Sequence, residues 1–140
     1  MSWDGYVTSL MTGGECQDAA IVGYETGAQS VWAAAKGKTF EKLTQGEIAA
    51  VTSKDRSSFF INGVTLGGVK CSVLRDRLNE DGEWTMDLRT KSAEGQPTYN
   101  ITIAKSNKAL VLVQGAENIH GGILNSKAFK MAEHLRKSNY

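Results

Sequence analysis

The sequence predicts an α+β fold: one central antiparallel sheet with a helix from each end of the chain packed on one of its faces. Two observations carry this prediction. Apolar residues recur at helical spacing at both ends, and between those ends runs a series of short strand-like segments separated by tight turns. Successive short strands joined this way form an antiparallel meander. The chain has 140 residues, 15 of them glycine, with a single proline, Pro97. One domain spanning residues 1–140 is expected, long enough to bury a core unaided.

Ser2 is a suitable cap for the first helix. Trp3, Tyr6, Val7, Leu10 and Met11 then fall on one helical stripe, and Gly13-Gly14 ends it. Residues 19–24 and 30–34 read as two strands joined by a glycine-containing turn. Thr44-Gln45-Gly46-Glu47 is a capping box opening a short helix to about residue 53. Phe59-Phe60-Ile61, Asn62-Gly63 and Val64-Thr65-Leu66 read as a hairpin with an Asn-Gly turn. Strands follow over residues 70–75, 83–91, 98–104 and 109–114. Gly121-Gly122 then leads into a last helix with Leu124, Ala128, Met131, Ala132 and Leu135 on one face.

Composition narrows the function. Hydrophobic residues make up 41% and charged residues 22%, ordinary for a globular chain. The formal net charge of +1 gives no global field to recruit nucleic acid, and no nucleic-acid partner is expected. No apolar run is long enough for a transmembrane helix, and the N-terminus lacks the pattern of a signal peptide. Cys16 and Cys71 match no metal or redox spacing and read as free thiols in a reducing cytoplasm.

Aromatic residues cluster at the two ends. Trp3 and Tyr6 share a helix face, and a C-terminal helix alongside brings His134, Leu135 and Tyr140 to them. The product is a shelf of flat rings with polar edges, suited to a polyproline II ligand; burial as plain core is the alternative. Strand alternation puts Trp84, Met86 and Leu88 on one face and Glu83, Thr85, Asp87, Arg89 and Lys91 on the other. The next strand adds Thr98, Asn100 and Thr102 to that polar face, which is either an ordinary solvated surface or a binding surface. On the last helix, His134 lies roughly 110° to one side of the apolar stripe, with Phe129 and Arg136 on the other, so one helix can serve two partners.

Catalytic patterns are missing. Ser57, Ser58, Asp55 and His120 supply the residue types of a hydrolase, but no nucleophile elbow surrounds either serine. There is no phosphate-binding loop, and two histidines without cysteine partners do not make a zinc site. No metal, cofactor or enzymatic activity is expected. His120, beside two glycines, reads as a turn residue.

Several segments together resemble the profilins, in their vertebrate-type form, over essentially the whole chain. They are Trp3-Asp4-Gly5-Tyr6 with Leu10-Met11, Cys16 to Tyr24, Ser30 to Ala34, Lys54 to Phe60, Lys70-Cys71-Ser72-Val73, Arg75-Asp76, Met86 to Ser92 and His120-Gly121-Gly122. The resemblance implies a profilin-like sheet with the terminal helices on one face and short helices on the other. It also implies a cytoplasmic, cytoskeletal protein that binds monomeric actin and regulates actin polymerisation and nucleotide exchange.

In profilins the poly-proline groove is formed by residues matching Trp3, Tyr6, Trp32, His134, Leu135 and Tyr140. It receives proline-rich segments of actin nucleation and elongation factors. The family's actin contacts match Phe60, Lys70, Val73, Arg75, Glu83 and Arg89 on one part of the surface. They continue through Lys91, Thr98, Asn100, Ile119, His120 and Phe129. Polyphosphoinositide lipid headgroups are implied for Lys70, Arg89, Lys91, Arg136 and Lys137. A membrane-surface phosphoinositide module, with actin secondary, is the alternative function; it needs Arg89, Lys91, Arg136 and Lys137 to converge. Two departures stand out: Ser126, where vertebrate members often have lysine, and Lys130, where they often have glutamate. Both are expected to border the actin surface, Lys130 on the flank of Phe129. One extra residue near positions 27–29 lengthens a turn.

Overall fold

Helix α1 (Trp3–Met11) buries Val7 and Leu10 and leaves Trp3 and Tyr6 half-exposed at its edge. The computed structural model describes residues 3–92 and 94–140, so the Ser2 cap lies outside the described residues. Gly13 and Gly14 take positive φ angles of 97° and 78°, which turn the chain out of the helix.

Strands β1 (Cys16–Gly23) and β2 (Ser30–Ala34) follow, then a single 3-10 turn (Phe40–Lys42), α2 (Gln45–Val51) and α3 (Phe59–Asn62). Strands β3 (Val64–Leu66), β4 (Val69–Arg77), β5 (Thr85–Thr90), β6 (Asn100–Lys105) and β7 (Ala109–Gly115) lead to the final helix, α4 (Gly121–Lys137). The seven strands form one sheet in the order β2-β1-β7-β6-β5-β4-β3, every neighbouring pair antiparallel.

Alternation along the central strands feeds two cores. Ala20, Val22, Leu110 and Leu112 point to the face covered by Phe40, Ile48, Val51 and Phe59. Ala19, Ile21, Val111 and Val113 point to the face covered by α1 and α4. This is why β1 and β7 read as nearly continuous apolar runs. The terminal helices therefore share one face and the short helices the other, as expected. The helical side is rich in small residues among its larger ones: Ala19, Ala33, Ala104 and Ala109 on the sheet, and Ala128 and Ala132 on α4. Small side chains let the helices sit close to the strands, so their outward edges are held firmly.

The capping box is present and does more than cap. The Thr44 hydroxyl accepts from the Glu47 amide at 3.1 Å, and Glu47 Oε1 accepts from the Thr44 amide at 3.0 Å. The same carboxylate accepts from the Gly67 and Gly68 amides at 3.0 and 3.1 Å, tying α2 to the β3–β4 turn.

Two expectations are corrected. Residues 59–66 are not a hairpin: Phe59–Asn62 is the short helix α3, and only Val64–Leu66 is a strand. Gly63, with φ 67°, donates its amide to the Phe59 carbonyl at 2.8 Å and ends a helical turn instead of opening an Asn-Gly hairpin. Phe59 is drawn into the core while Ile61, which alternation would have placed with it, is exposed. Trp84 does not share a face with Met86 and Leu88 either. It precedes β5 and has φ 49°, which turns its ring toward α4, where Arg136 stacks on it at 3.4 Å. The polar face of β5 and β6 is also drier than alternation alone suggests, because α4 crosses it and buries Thr85 and Thr102.

Candidate functional site: an aromatic shelf and a charged face on opposite flanks of one helix

The register of β1 and β2 explains how the aromatic side is assembled. Ile21 pairs with Ala33 and Val22 with Val31, so Trp32 is the surplus residue of a β-bulge. A bulge re-aims its side chain, and here it sends the indole over Gly23 and toward α1. The Trp3 ring lies 4.7 Å from Trp32, 5.6 Å from Tyr6 and 5.0 Å from Tyr140, the last edge-on. His134 on α4 stands edge-on to Tyr6 at 5.6 Å. Tilted and edge-on arrangements suit the ring quadrupoles and leave N–H and O–H edges available to carbonyl groups.

The end of the chain is fastened to this cluster. The Tyr140 main-chain oxygen accepts from the Ser106 hydroxyl at 2.7 Å and from the Lys108 amide. All five rings expected on the shelf are therefore brought together. Leu135, at 1% exposure, lies instead in the core cluster against which Trp3, Tyr6 and Trp32 pack.

Gly23 is a contributor that the sequence did not reveal. A methyl group there would stand 2.6 Å from three atoms of the Trp32 indole. A glycine inside a strand often marks such a close approach, and that was the available signal.

On the other flank of α4 a polar face spans β4, β5 and β6. Asp87 is its hub. It accepts from the Thr102 hydroxyl at 2.9 Å and from the Asn125 side-chain amide of α4 at 3.0 and 3.2 Å. Arg75 reaches Asp87 at 3.5 Å, Glu83 at 3.2 Å and the Thr85 hydroxyl at 2.9 Å. Arg89 donates to Thr98 at 2.6 Å and to Asn100 at 3.2 Å. Asn100 in turn donates to the Ile119 carbonyl at 3.0 Å. These last residues and His120 border one depression, and His120 caps α4 by accepting from the Gly122 amide at 3.0 Å. Phe129 borders an adjoining groove with Arg75, Asn125 and Ser126. Phe60 stands 61% exposed on α3, which ends at Gly63 beside the Lys91 ammonium.

Val73 does not join this face. Cys71 and Val73 keep strict core alternation, leaving Val73 only 7% exposed. The register then shifts between Val73 and Arg75, making Leu74 a bulge residue. Leu74, 55% exposed, and Arg75 both line the Phe129 groove, so the bulge supplies the apolar residue expected from Val73. Lys130 is also placed differently from expectation. One turn before His134, it lies on the His134 edge with Tyr6 and Ser9, away from Phe129. Ser126 does border the Phe129 groove.

The basic residues fall into two groups. The Lys91 amide donates to the Lys70 carbonyl just past the end of β5, with Arg89 two residues earlier on that strand. Arg136 packs on Trp84 before the start of β5, five residues from Arg89, or about 16 Å along an extended chain. Arg136 also donates to Asn107 at 3.2 Å and to the Lys105 carbonyl at 2.5 Å, while Lys137 lies 3.9 Å from Glu133. Burial lowers the Arg136 pKa from its usual value. Among the described residues there is no cluster of three His, Cys, Asp or Glu side chains placed to hold a metal, and no helix long and apolar enough to cross a membrane.

The profilin family model matches residues 1–140. Profilin-1 of Mus musculus is 58% identical over 138 residues, covering 99% of this chain and 98% of its own length. Profilin-2 of Rattus norvegicus is 52% identical with the same coverage. Mouse profilin IIa, solved in complex with a double repeat from the FH1 domain of mDia1, superposes with a TM-score of 0.96 at 51% identity, over 100% of both chains. The likeness runs through the whole sequence and the whole fold, and the chain belongs to the profilin family.

Proposed function

We propose that this protein is a non-catalytic adaptor of the cytoplasmic actin cytoskeleton. Monomeric actin binds the face built by Arg75, Arg89, Asn100 and Phe129, and proline-rich segments of actin nucleation and elongation factors bind the aromatic shelf. The observation that carries the reading is the gathering of Trp3, Tyr6, Trp32, His134 and Tyr140 on one flank of α4, with the charged network on the other. Proline rings stack on indole and phenol faces, and the ring N–H and O–H groups donate to proline carbonyls. The FH1 repeat bound to mouse profilin IIa supports this chemistry for a shelf of the same fold.

On the actin side, Leu74, Phe60 and Phe129 supply apolar contact within a rim of charge, the usual composition of a protein interface. Faster nucleotide exchange on actin requires only tighter binding to an open nucleotide cleft than to a closed one. Polyphosphoinositide headgroups are a secondary ligand of the Lys70, Arg89 and Lys91 group. The separation of Arg136 and Lys137 from that group argues against a lipid sensor as the main function. The test is titration with decaproline, followed by Trp fluorescence, beside actin-monomer binding at the same salt. An adaptor binds both; failure with either ligand removes that half of the reading.

A further inference from the structure

The aromatic shelf does not end at Tyr6 and His134. On their far side a groove of about 380 Å³ continues between α1 and α4, with Leu10 and Met131 as its apolar floor. Ser9 lies on one rim, and Lys127 and Lys130 on the other. Among the described residues no carboxylate lines it. Lys127 is partly neutralised, with its ammonium 3.4 Å from Glu15 and 3.3 Å from the Thr12 carbonyl. Lys130 is exposed and has no ion-pair or hydrogen-bond partner among the described residues.

We propose that this groove is a second subsite for the proline-rich partner, receiving the residues that flank the proline run and selecting a flank that carries a carboxylate. Three features point to that occupant. The groove shares Tyr6 and His134 with the shelf, so a chain leaving the rings enters it without a gap. Its floor is apolar, so an extended flank can be partly dehydrated there, where a charge pair is stronger than in open water. Among the described residues its rim has one unpaired cation, and the carboxylate beside it, Glu15, is already paired with Lys127, so the rim attracts an acidic flank and disfavours a basic one. Lys130 is then a specificity residue for partners, not part of the opposite face.

The inference rests on the proline-binding reading, and the experiment separates the two. Four peptides carry ten prolines with Gly-Glu-Glu or Gly-Gln-Gln at the C-terminal end, or the mirrored flanks at the N-terminal end. Each is titrated, with plain decaproline, against the wild type, Lys130→Gln, Lys130→Glu and Lys54→Gln at low and high salt. Lys54→Gln makes the same charge change beyond α2, on the other side of the sheet. In one of the two polarities the acidic flank binds the wild type about two- to fivefold more tightly than the glutamine flank, mostly at low salt. Lys130→Gln brings that ratio to one, Lys130→Glu inverts it, Lys54→Gln keeps it, and decaproline binds all four proteins alike. If decaproline binds but neither polarity discriminates, or if discrimination survives Lys130→Gln, the subsite is overturned and the shelf stands. If no peptide binds, both fall.

Discussion

Gly23 lies directly beneath the indole of Trp32, at a spacing that leaves no room for a methyl group. The aromatic shelf thus depends on a residue that contributes no side chain to it. Gly23→Ala should displace Trp32, because the backbone on both sides is fixed by pairing to β2 and β7. Decaproline binding is expected to weaken about tenfold or more, with a loss of stability of ~1–3 kcal/mol from the forced shift. Trp fluorescence titration and urea unfolding read the two effects. Unchanged proline affinity would show that Trp32 is not a contact residue.

The two flanks of α4 should be separable. Tyr6→Ala and His134→Ser remove rings from one side, and truncation of an interface hot spot typically costs ~2 kcal/mol, about thirtyfold in affinity. Arg75→Glu removes a cation from the opposite side and places a carboxylate beside Asp87 and Glu83, which should weaken actin binding at least as much. Each variant should keep the ligand of the other flank, since distant sites without shared partners rarely couple. Both affinities, measured for all three after cooperative melting is verified, decide the matter. Loss of both ligands in a folded Tyr6→Ala protein would mean one shared site.

Asp18 predicts a pH dependence of stability. Its carboxyl is 2% exposed, and Oδ2 accepts from the Phe40 amide at 2.9 Å while Oδ1 has no partner among the described residues. Burial raises its pKa to about 6, against the opposing pull of the backbone amides around Phe40. A raised carboxyl pKa means that the folded state holds the proton more tightly than the unfolded chain. Below the unfolded value near 4 there is no penalty; stability falls as pH rises from about 4 to 6 and stays lower above. Asp18→Asn should remove that fall and stabilise the protein at pH 7 by as much as ~3 kcal/mol, less whatever the charged hydrogen bond contributed. Urea midpoints at pH 4.5 and 7 test it: equal differences between variant and wild type at both values would refute the assignment.

Arg56 and Asp76 predict a large structural cost. The guanidinium makes two parallel bonds to the carboxylate at 2.7 and 2.9 Å, donates to the Ser53 and Val51 carbonyls, and stacks on Phe59 at 4.7 Å. Asp76 is nearly buried, so Arg56→Ala leaves a buried carboxylate without its cation, a loss of about 3–5 kcal/mol. Arg56→Lys should recover less than half, because an ammonium cannot reproduce the fork. Chemical denaturation of the three proteins checks the ranking.

These features differ in how far they can be read from sequence. Both terminal helices follow from apolar spacing, and the Thr44–Glu47 box from residue type at fixed offset, because those signals are local. The strand pattern likewise reveals Arg89 and Asn100 on a polar face, whereas Arg75 came through the family resemblance. Trp32 came only through the family resemblance: alternation is a period-two argument, and a bulge breaks the period without marking the sequence. Val73 also came through the resemblance; it lies in the core, and the bulge that follows it brings Leu74 to the surface beside it. The error at residues 59–66 has another source. Asn-Gly is a good hairpin turn and an equally good helix terminator, and the burial of Phe59 on the core decided between them. Trp84 escaped because a positive φ at a tryptophan is imposed by its surroundings, here a tight turn and the Arg136 guanidinium.

Trp32 and Leu74 are each additions to a strand whose remaining residues pair without them. Val31 and Ala33 already find Val22 and Ile21, and Val73 and Arg75 already find Leu88 and Asp87. Loss of a single codon at either place would erase that side chain and leave the neighbouring residues on the faces they occupy now. Elsewhere in a sheet with a core on both sides, the same deletion turns every later side chain inside out. At these two bulges a surface side chain can therefore be gained or discarded through a change in strand length, with both cores left as they are.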